Sequence, residues 1–425
     1  MDKINIRPWR WVPTTYFMQG LPFSLIVIVS TIMYKNFKLN NSDITFYTGW
    51  FFIPWIVKPI WAWFIDLYQT KRWWIFLMEI LLGVGFFTIA MSLQFSNYFI
   101  ISLALFWLCA FFSASHDIAT DGFYLITLKD DQQSFFVGMQ SLFSQAARFF
   151  AGGLLVMLSG ILIQHYALSP YLSWSICFII AAVVALCIGL YNFFVLPRCE
   201  IKHQQPKNNL LEIKTIFIDF FKLKQIWLTL LFIMTFRLCE NMVLKIIPLF
   251  ILDSRTNGGL GFDNTYLGIS NIFILLAMVT AGVLGGLCIN RFGLKKCIIP
   301  MIFCVNIPHI IYIYLASAQP QHQILVMTLQ VLEYFATTFS LTAYTMTVYH
   351  LVRDSKHKTA HFAFVTGIMV LSIMFPSMFS GALQQYLGYI QYFSIVMLTI
   401  IPSLILVSFL HIEENFGKKI NTPIE

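Results

Sequence analysis

Long apolar stretches, separated by short polar turns, run along the whole chain. A helix needs roughly 20 mostly apolar residues to cross the hydrocarbon core of a bilayer. The pattern therefore predicts twelve membrane-spanning helices, at Val12–Tyr34, Ile44–Ile65, Trp73–Gln94, Tyr98–Leu128, Phe135–Ile163, Tyr171–Leu196, Ile226–Leu252, Tyr266–Ile289, Cys297–Ser317, Gln323–Val352, Phe362–Tyr386 and Tyr392–His411. The expected fold class is an all-α integral membrane protein.

The composition excludes a soluble globule. Of the 425 residues, 58% are hydrophobic and 11% are charged, against roughly 25% charged residues in an ordinary soluble domain. The net charge of +8 would raise the question of nucleic acid in a soluble protein. Here the positive charge is expected to face lipid head groups, and no nucleic-acid partner is predicted.

The basic residues of the turns predict the orientation of the chain. Most of the 27 Lys and Arg residues lie in the terminal segments and in alternate turns, on one side of the predicted membrane. The opposite side holds Lys35, Lys38 and Arg255. Because Lys and Arg accumulate on the cytoplasmic side, both termini are predicted to be cytoplasmic.

The longest connection, Pro197–Gln225, separates six predicted spans from six. Its segment Leu210–Lys224 places apolar residues at helical spacing and predicts an amphipathic helix at the membrane surface. The predicted organisation is a six-helix bundle, a linker, a second six-helix bundle and a tail, at 1–196, 197–225, 226–411 and 412–425.

A weak internal repeat relates the two halves. The start of the second span, Ser42–Gly49, resembles the segment Phe262–Gly268 at the start of the eighth. The turn after the eighth span contains Arg291, Lys295 and Lys296. Two related six-helix halves with basic turns at these places resemble the major facilitator superfamily. That resemblance implies two bundles that rock about a central cavity.

Nine ionisable side chains lie inside the predicted spans, where each costs about 2.5–3.5 kcal/mol unless it is paired or faces water. Glu79 is close enough to an end of its span to be expected to reach the interface. The others are expected to lie deeper. The nine residues are Lys58, Glu79, Asp117, Asp121, Arg148, Arg237, Glu240, Lys245 and Glu333.

In the first half, Asp117 and Asp121 are four residues apart and share one helix face. Lys58 is predicted at a similar depth. Either it forms a static ion pair between two helices, or two carboxylates with one lysine partner raise the pKa of one carboxylate, as a proton-coupled carrier needs. His116 either joins a proton relay or is a packing residue. Arg148 is the least obviously paired of these charges and is a candidate for contact with substrate or with Asp121.

In the second half, Arg237 and Glu240 are three residues apart and can pair. Lys245 follows near the same face, and Glu333 lies near the middle of the tenth span. Either the two cations bind an anionic substrate or the two carboxylates neutralise them.

No motif for enzymatic chemistry accompanies these charges. His357 and His361 have metal-ligand spacing but lie in a polar turn, and no HExxH, GxSxG or CxxC motif is present. Neither a metal nor a cofactor is expected, and the chain is not expected to be an enzyme. An integral-membrane acyltransferase is the alternative of another class.

Three segments carry a closer resemblance. They are Gln19–Pro22, Pro54–Trp61 followed by Asp66, and Ser113–Phe123. Together they resemble the AmpG-like permeases of the peptide–acetyl-coenzyme A–drug transporter group, although His116 replaces the more usual Gln. The resemblance implies proton-driven import of a cell-wall anhydromuropeptide across the bacterial inner membrane. Related branches carry siderophores or acetyl-coenzyme A.

In this resemblance, Lys58, Asp117 and Asp121 occupy the motif positions of the family. We expect them, with His116, to couple transport to protons. The candidate substrate-binding residues are Arg148, Arg237, Glu240, Lys245, Glu333, Gln19, Trp50 and Tyr124, with the aromatic rings stacking on a sugar. The expected partners are a small sugar–peptide, protons and the lipid bilayer, and the oligomeric state stays open.

Overall fold

The computed structural model describes residues 7–128, 130–198, 215, 217–353, 355 and 357–418. Every regular element in these ranges is a helix. The all-α class predicted from the apolar pattern is therefore confirmed.

The first part of the chain forms ten α-helices within the described residues. These are α1 (Val12–Ser24), α2 (Ser30–Asn36), α3 (Asn41–Gly49), α4 (Ile53–Val57), α5 (Pro59–Leu67), α6 (Lys71–Ser92), α7 (Tyr98–Thr127), α8 (Asp130–Arg148), α9 (Val156–Gln164) and α10 (Pro170–Val195). A π-helical segment, Leu25–Val29, joins α1 to α2, and another, Phe149–Leu155, joins α8 to α9. Short 3-10 turns lie at Pro8–Arg10 and Trp50–Phe52.

From Ile226 onward, the second part contributes nine α-helices within the described ranges. These are α11 (Ile226–Phe236), α12 (Leu238–Leu252), α13 (Asn264–Phe292), α14 (Leu294–Asn306), α15 (Ile310–Ala318), α16 (Gln323–Val352), α17 (Lys358–Leu387), α18 (Tyr389–Met397) and α19 (Ile400–Phe409). The 3-10 turn Ile307–His309 joins α14 to α15. Of the predicted amphipathic segment, residues 210–214 and 216 lie outside the described ones. Within the rest, Phe217 is exposed and Phe220 is buried.

Ten helical stretches among the described residues are long and apolar enough to cross a membrane. They correspond to ten of the twelve predicted spans. The two remaining predictions, Ile44–Ile65 and Ile226–Leu252, are also helical but are built from shorter pieces. The count of twelve therefore depends on two interrupted spans.

Two of these interruptions have a local cause. In the second predicted span, Pro59 lacks a backbone N–H, so the helix stops at Val57 and restarts as α5. In the seventh, Arg237 has φ −103° and ψ 16°, outside the helical region, between α11 and α12. Irregular backbone at membrane depth is tolerated where it is buried in protein or lines an aqueous cavity. The breaks at Pro59 and Arg237 are therefore candidate sites.

Contacts divide the described residues into two compact units. Unit 1 takes its residues from Met1–Asn40, Tyr47–Pro206 and Asp263–Asn271. Unit 2 takes its residues from Asn41–Phe46, Lys207–Phe262 and Ile272–Glu425. By chain order, the start of α3 belongs to the first predicted bundle and the start of α13 to the second. Contacts instead group the start of α3 with unit 2 and the start of α13 with unit 1.

Side-chain amides anchor these two helix starts. In unit 2, the Asn41 amide donates to Gln384 Oε1 at 2.8 Å and to the Tyr389 hydroxyl at 2.9 Å. Gly381 permits this approach, because a Cβ atom there would overlap the Asn41 carbonyl. In unit 1, the Asn264 amide donates to Ser159 Oγ at 2.9 Å. Hydrogen bonds between residues far apart in the chain therefore hold each helix start to the unit formed mainly by the other half of the chain.

Each unit has its own apolar core. In unit 1 a cluster around Trp11, Phe123 and Tyr124 packs the start of α1 against the end of α7. In unit 2 a larger cluster around Phe236, Ile302 and Tyr344 joins α11, α14 and α16. The charged side chains described next lie among these packed helices.

Candidate functional site

Two carboxylates and one lysine form the centre of the candidate site in unit 1. Asp117 and Asp121 lie one turn apart on α7, as predicted. Lys58, at the break between α4 and α5, interacts electrostatically with both. The break places the lysine at the carboxyl end of α4, where the helix dipole favours a cation. The three predicted proton-coupling charges are therefore brought together.

The two carboxylates have different surroundings. Asp117 is only 7% exposed, and the indole N–H of Trp55 donates to its Oδ2 at 3.1 Å. Its Oδ1 is buried and has no hydrogen-bond partner among the described residues. Asp121 is exposed. One carboxylate is thus enclosed within the helix bundle, and the other has an accessible surface.

Helix α1 supplies the partners of Asp121. The Tyr16 hydroxyl lies 3.4 Å from Asp121 Oδ1, and the Gln19 side chain also bonds to this carboxylate. Gly20 brings α1 close to α8, because a Cβ atom there would overlap the Ser144 carbonyl. Gln19 is a predicted site residue, whereas Tyr16 was not predicted. Its spacing of three residues from Gln19, on the same helix face, is the signal that could have identified it.

His116 points to a different partner from its neighbour Asp117. Its Nε2 lies 3.3 Å from Glu79 Oε1, and both side chains are fully buried. The amide of Asn192 donates to the same Glu79 oxygen at 2.7 Å, and Thr14 donates to Asn192 Oδ1 at 2.6 Å. The expectation that Glu79 could reach the interface is wrong, since its side chain is fully buried and polar partners on two other helices hold it inside unit 1.

Arg148 lies at the end of α8, where the π-helical segment Phe149–Leu155 begins. It is exposed, and its guanidinium lies over the Phe23 ring at 5.6 Å. Phe23 in turn packs edge-on against Trp55, with ring centroids 5.3 Å apart. The Phe23 ring therefore contacts both the Arg148 guanidinium and the Trp55 indole that binds Asp117.

The two π-helical segments pack against each other within unit 1. The amide of Asn271 donates to the Gly152 carbonyl in the second segment at 2.8 Å. Single π-helical turns often mark functional sites because they break the regular hydrogen-bond ladder. The packing of these segments beside Arg148 is consistent with a binding region.

The two predicted aromatic residues differ in accessibility. Trp50 is 37% exposed, in the 3-10 turn Trp50–Phe52. Tyr124 is only 4% exposed, and its hydroxyl donates to the Gln133 carbonyl at 2.6 Å. Its ring packs edge-on against Tyr16. Trp50 is partly accessible, whereas Tyr124 is buried and engaged in packing.

In unit 2, the helix break at Arg237 forms the predicted ion pair. Arg237 donates through Nε to Glu240 Oε2 at 2.7 Å and through Nη2 to Oε1 at 2.6 Å. Glu240 lies in the first turn of α12, where the helix dipole favours a negative charge. The guanidinium also lies over the Tyr344 ring at 5.6 Å. This geometry agrees with the alternative in which Glu240 neutralises Arg237.

Glu333 is bound by neighbours that the sequence interpretation did not include. Its carboxylate accepts from the Tyr312 hydroxyl at 3.1 Å and from Thr337 Oγ1 at 3.0 Å. His309 Nε2 lies 3.4 Å from Glu333 Oε1. His309 lies inside a predicted span, and a histidine at such a position is the signal in the sequence that could have identified it. Lys245 is also buried, with 2% of its surface exposed.

The two histidines with metal-ligand spacing have ordinary contacts. His361 Nδ1 lies 2.6 Å from Ser355 Oγ, and the rings of His357 and His361 are 5.8 Å apart. Within the described ranges, no group of three or more His, Cys, Asp or Glu side chains is arranged to hold a metal ion.

Comparisons with known proteins agree with this architecture. A sequence model described as Major Facilitator Superfamily matches residues 14–332. The chain is 24% identical over 421 residues to a protein of Rickettsia conorii named "Putative transporter AmpG 4", with 94% of this chain and 95% of that protein covered.

Solved structures with the same fold include a D-xylose–proton symporter, with a TM-score of 0.73 and 13% identity over 96% of this chain and 98% of that one. Another is a bacterial homolog of the human lysosomal transporter Spinster, in an inward-facing and unoccupied conformation. Its TM-score is 0.69, with 13% identity over 95% of this chain and 97% of that one. At this identity the likeness concerns the fold alone.

Proposed function

The chain belongs to the major facilitator superfamily, and we propose that it imports a cell-wall-derived sugar–peptide across a bacterial inner membrane with protons, by alternating access. The general activity, secondary transport by a multi-pass membrane protein, follows from the family. The cargo, the proton coupling and the cytoplasmic position of both termini are our proposals. The proposed transport rests chiefly on the arrangement of Lys58, Asp117 and Asp121.

The charge balance of this group supports proton coupling. Two carboxylates beside one ammonium group leave one net negative charge, which a single proton would neutralise. Asp121 is exposed and can exchange a proton with water, whereas Asp117 is buried against Trp55. We therefore assign Asp121 as the proton-exchanging group, and Lys58 with Asp117 as the fixed pair beside it.

The neighbourhood of this group supports an anionic, sugar-containing cargo. Arg148 is exposed and can bind a carboxylate of a peptide. Trp50 is accessible for stacking on a sugar ring, and Gln19 can donate and accept hydrogen bonds. The name of the Rickettsia relative points to the same class of permease. We therefore assign these three residues to substrate contact in unit 1.

The residues of unit 2 contribute less directly in this proposal. Arg237 and Glu240 neutralise each other and have side chains 19% and 15% exposed, so the pair can accept a polar group without carrying net charge. Lys245 and Glu333 are buried. We propose that these two act on substrate only when unit 2 changes conformation.

The proposal is tested by uptake of labelled N-acetylglucosaminyl-anhydro-N-acetylmuramyl peptide into proteoliposomes, with and without an imposed pH gradient. We expect saturable uptake that follows the gradient. In Asp121→Asn, gradient-driven accumulation should be lost while exchange of internal for external substrate persists. The matched control is Asp219→Asn, which removes a surface carboxylate.

Gradient-driven accumulation by Asp121→Asn at the wild-type rate would refute the proton role. Absence of uptake by folded wild-type protein would refute the muropeptide cargo. The same vesicles would then be supplied with a ferric siderophore or a nucleotide thioester, the cargoes of related branches.

A further inference from the structure

A basic cavity of about 590 Å³ lies in unit 1, away from the Asp117–Asp121 group. It is formed by the segment before α1, the start of α6 and the end of α10. Four of its nine lining residues are arginines, and none of the others is charged. The lining residues are Arg7, Arg10, Arg72, Phe193, Phe194, Val195, Leu196, Pro197 and Arg198.

Arg72 is built into the wall of this cavity. Its Nε donates to the Leu196 carbonyl at 3.0 Å, and its Nη2 donates to the Phe193 carbonyl. Its guanidinium also lies over the Phe193 ring at 5.6 Å. Arg72 therefore satisfies the open carbonyl groups at the end of α10 and holds the start of α6 against it.

The other three arginines face the cavity from two flanking segments. Arg7, Arg10 and Arg198 are exposed. The Tyr191 hydroxyl donates to the Arg10 carbonyl at 2.9 Å, which anchors the 3-10 turn Pro8–Arg10 to α10. Like charges gathered in one concavity repel one another, so a bound anion would stabilise this arrangement. A guanidinium group can donate two parallel N–H bonds to the oxygens of one phosphate.

The surroundings favour a phosphate that belongs to a lipid. Phe194 is 80% exposed and Phe193 is 40% exposed at the rim of the cavity. Trp9 and Trp73, beside Arg10 and Arg72 in the chain, are 56% and 41% exposed. Exposed aromatic rings beside arginines are typical of the membrane–water interface. Acyl chains could lie against the phenylalanines while a head group enters the cavity.

We propose that this arginine cavity binds a phosphate-bearing anion, supplied by the head group of an anionic phospholipid. Arg7, Arg10 and Arg198 contact the phosphate, and Arg72 forms the fixed wall. The bound head group would hold the segment before α1 against α10. A free polyphosphate has the same chemistry, so the experiment must separate the two sources.

The test is native mass spectrometry of the full chain released from nanodiscs of phosphatidylcholine with phosphatidylglycerol and cardiolipin. The test variant is Arg7→Gln/Arg10→Gln/Arg198→Gln, which leaves Arg72 in place. The control is Arg291→Gln/Lys295→Gln/Lys296→Gln, which removes three exposed charges from a basic turn of unit 2. Wild type and control should retain an anionic phospholipid, and the test variant should retain at least tenfold less.

The variant Arg7→Lys/Arg10→Lys/Arg198→Lys separates the effect of charge from that of guanidinium geometry. It keeps the charge but loses the paired guanidinium bonds, so its retention should be intermediate. If soluble pyrophosphate displaces the lipid from the wild type, the cavity recognises phosphate itself. If pyrophosphate fails to displace it, the acyl chains contribute to binding and the lipid is the source. Equal lipid retention by a folded test variant, the wild type and the control would overturn the proposal.

Discussion

Trp55 donates its indole N–H to Asp117 Oδ2 at 3.1 Å, and its ring packs edge-on against Phe23. Phe23 lies beneath the guanidinium of Arg148. One aromatic pair therefore connects a buried carboxylate to an exposed cation within unit 1. None of these contacts is close in sequence, and the connection offers a direct test of the site.

Replacement of Trp55 by Phe keeps the ring but removes the donor to Asp117. A buried polar group that loses its partner costs about 1–3 kcal/mol, so the free energy of unfolding should fall by about that amount. Thermal unfolding in detergent measures the change. Trp227→Phe is the control, because Trp227 is 64% exposed. Equal stability of the two variants would contradict the importance of this bond.

The Glu79–His116 pair predicts a non-additive pair of mutations. His116→Phe should destabilise the protein by about 1–3 kcal/mol, because the buried Glu79 carboxyl group then loses this hydrogen-bond partner. Glu79→Leu/His116→Phe should recover much of the loss, since apolar side chains replace both groups. Thermal unfolding of the single and double variants gives the coupling energy. If the double variant is the least stable, the two residues do not act as a pair.

Two ion pairs of different exposure should differ in strength. Arg237 and Glu240 are 19% and 15% exposed, whereas Lys295 and Glu414 are 51% and 83% exposed and lie 3.2 Å apart. Arg237→Ala should cost about 1–3 kcal/mol, because Glu240 loses two charge-assisted hydrogen bonds. Lys295→Ala should cost less than about 1 kcal/mol. Chemical unfolding of both variants provides the comparison, and a larger loss in Lys295→Ala would reverse the ranking.

Two helical glycines should respond oppositely to a methyl group. Gly286→Ala adds a side chain where no atom lies within 4 Å, so it should stabilise α13 by about 0.5–1 kcal/mol. Gly381→Ala should be destabilising, because the Cβ atom overlaps the Asn41 carbonyl. The melting temperatures of the two variants, compared with that of the wild type, test both expectations. A higher melting temperature for Gly381→Ala would show that the start of α3 does not depend on this close approach.

Docking of the segment after α19 should depend on pH. The hydrogen bonds from Arg353 lower the pKa of Glu413 below its usual range, and Arg353 Nη1 donates to Glu413 Oε2 at 2.9 Å. Arg353 also lies over the Phe416 ring. Since the folded pKa is the lower one, the stabilising contribution is full above the ordinary Glu pKa of about 4.3 and is lost as pH falls through the folded value.

Hydrogen exchange of residues 410–418 measures this docking. Protection factors, which divide out the intrinsic pH dependence of amide exchange, should be high at neutral pH and lower in acid, and Glu413→Gln should show low protection at both values. Asp219→Asn, which removes a surface carboxylate outside this segment, is the control. Protection that stays constant down to the folded pKa and below it would exclude the Arg353–Glu413 pair as the cause.

The sequence alone determined the features that depend on local spacing. A run of some 20 apolar residues is enough to identify a span, because the bilayer sets the length. Asp117 with Asp121, and Arg237 with Glu240, share helix faces because helical geometry relates positions three or four apart. The motif around Lys58 also indicated which charges belong together.

Only the tertiary structure decided which faces meet. His116 lies beside Asp117 in sequence, yet packing turns it towards Glu79 and Asn192. Glu333 meets His309 and Tyr312 through the contact of two helices. Rotation and tilt of a membrane helix are set by its neighbours and not by its own apolar residues. Partners far apart in the chain therefore emerge only when the helices are packed.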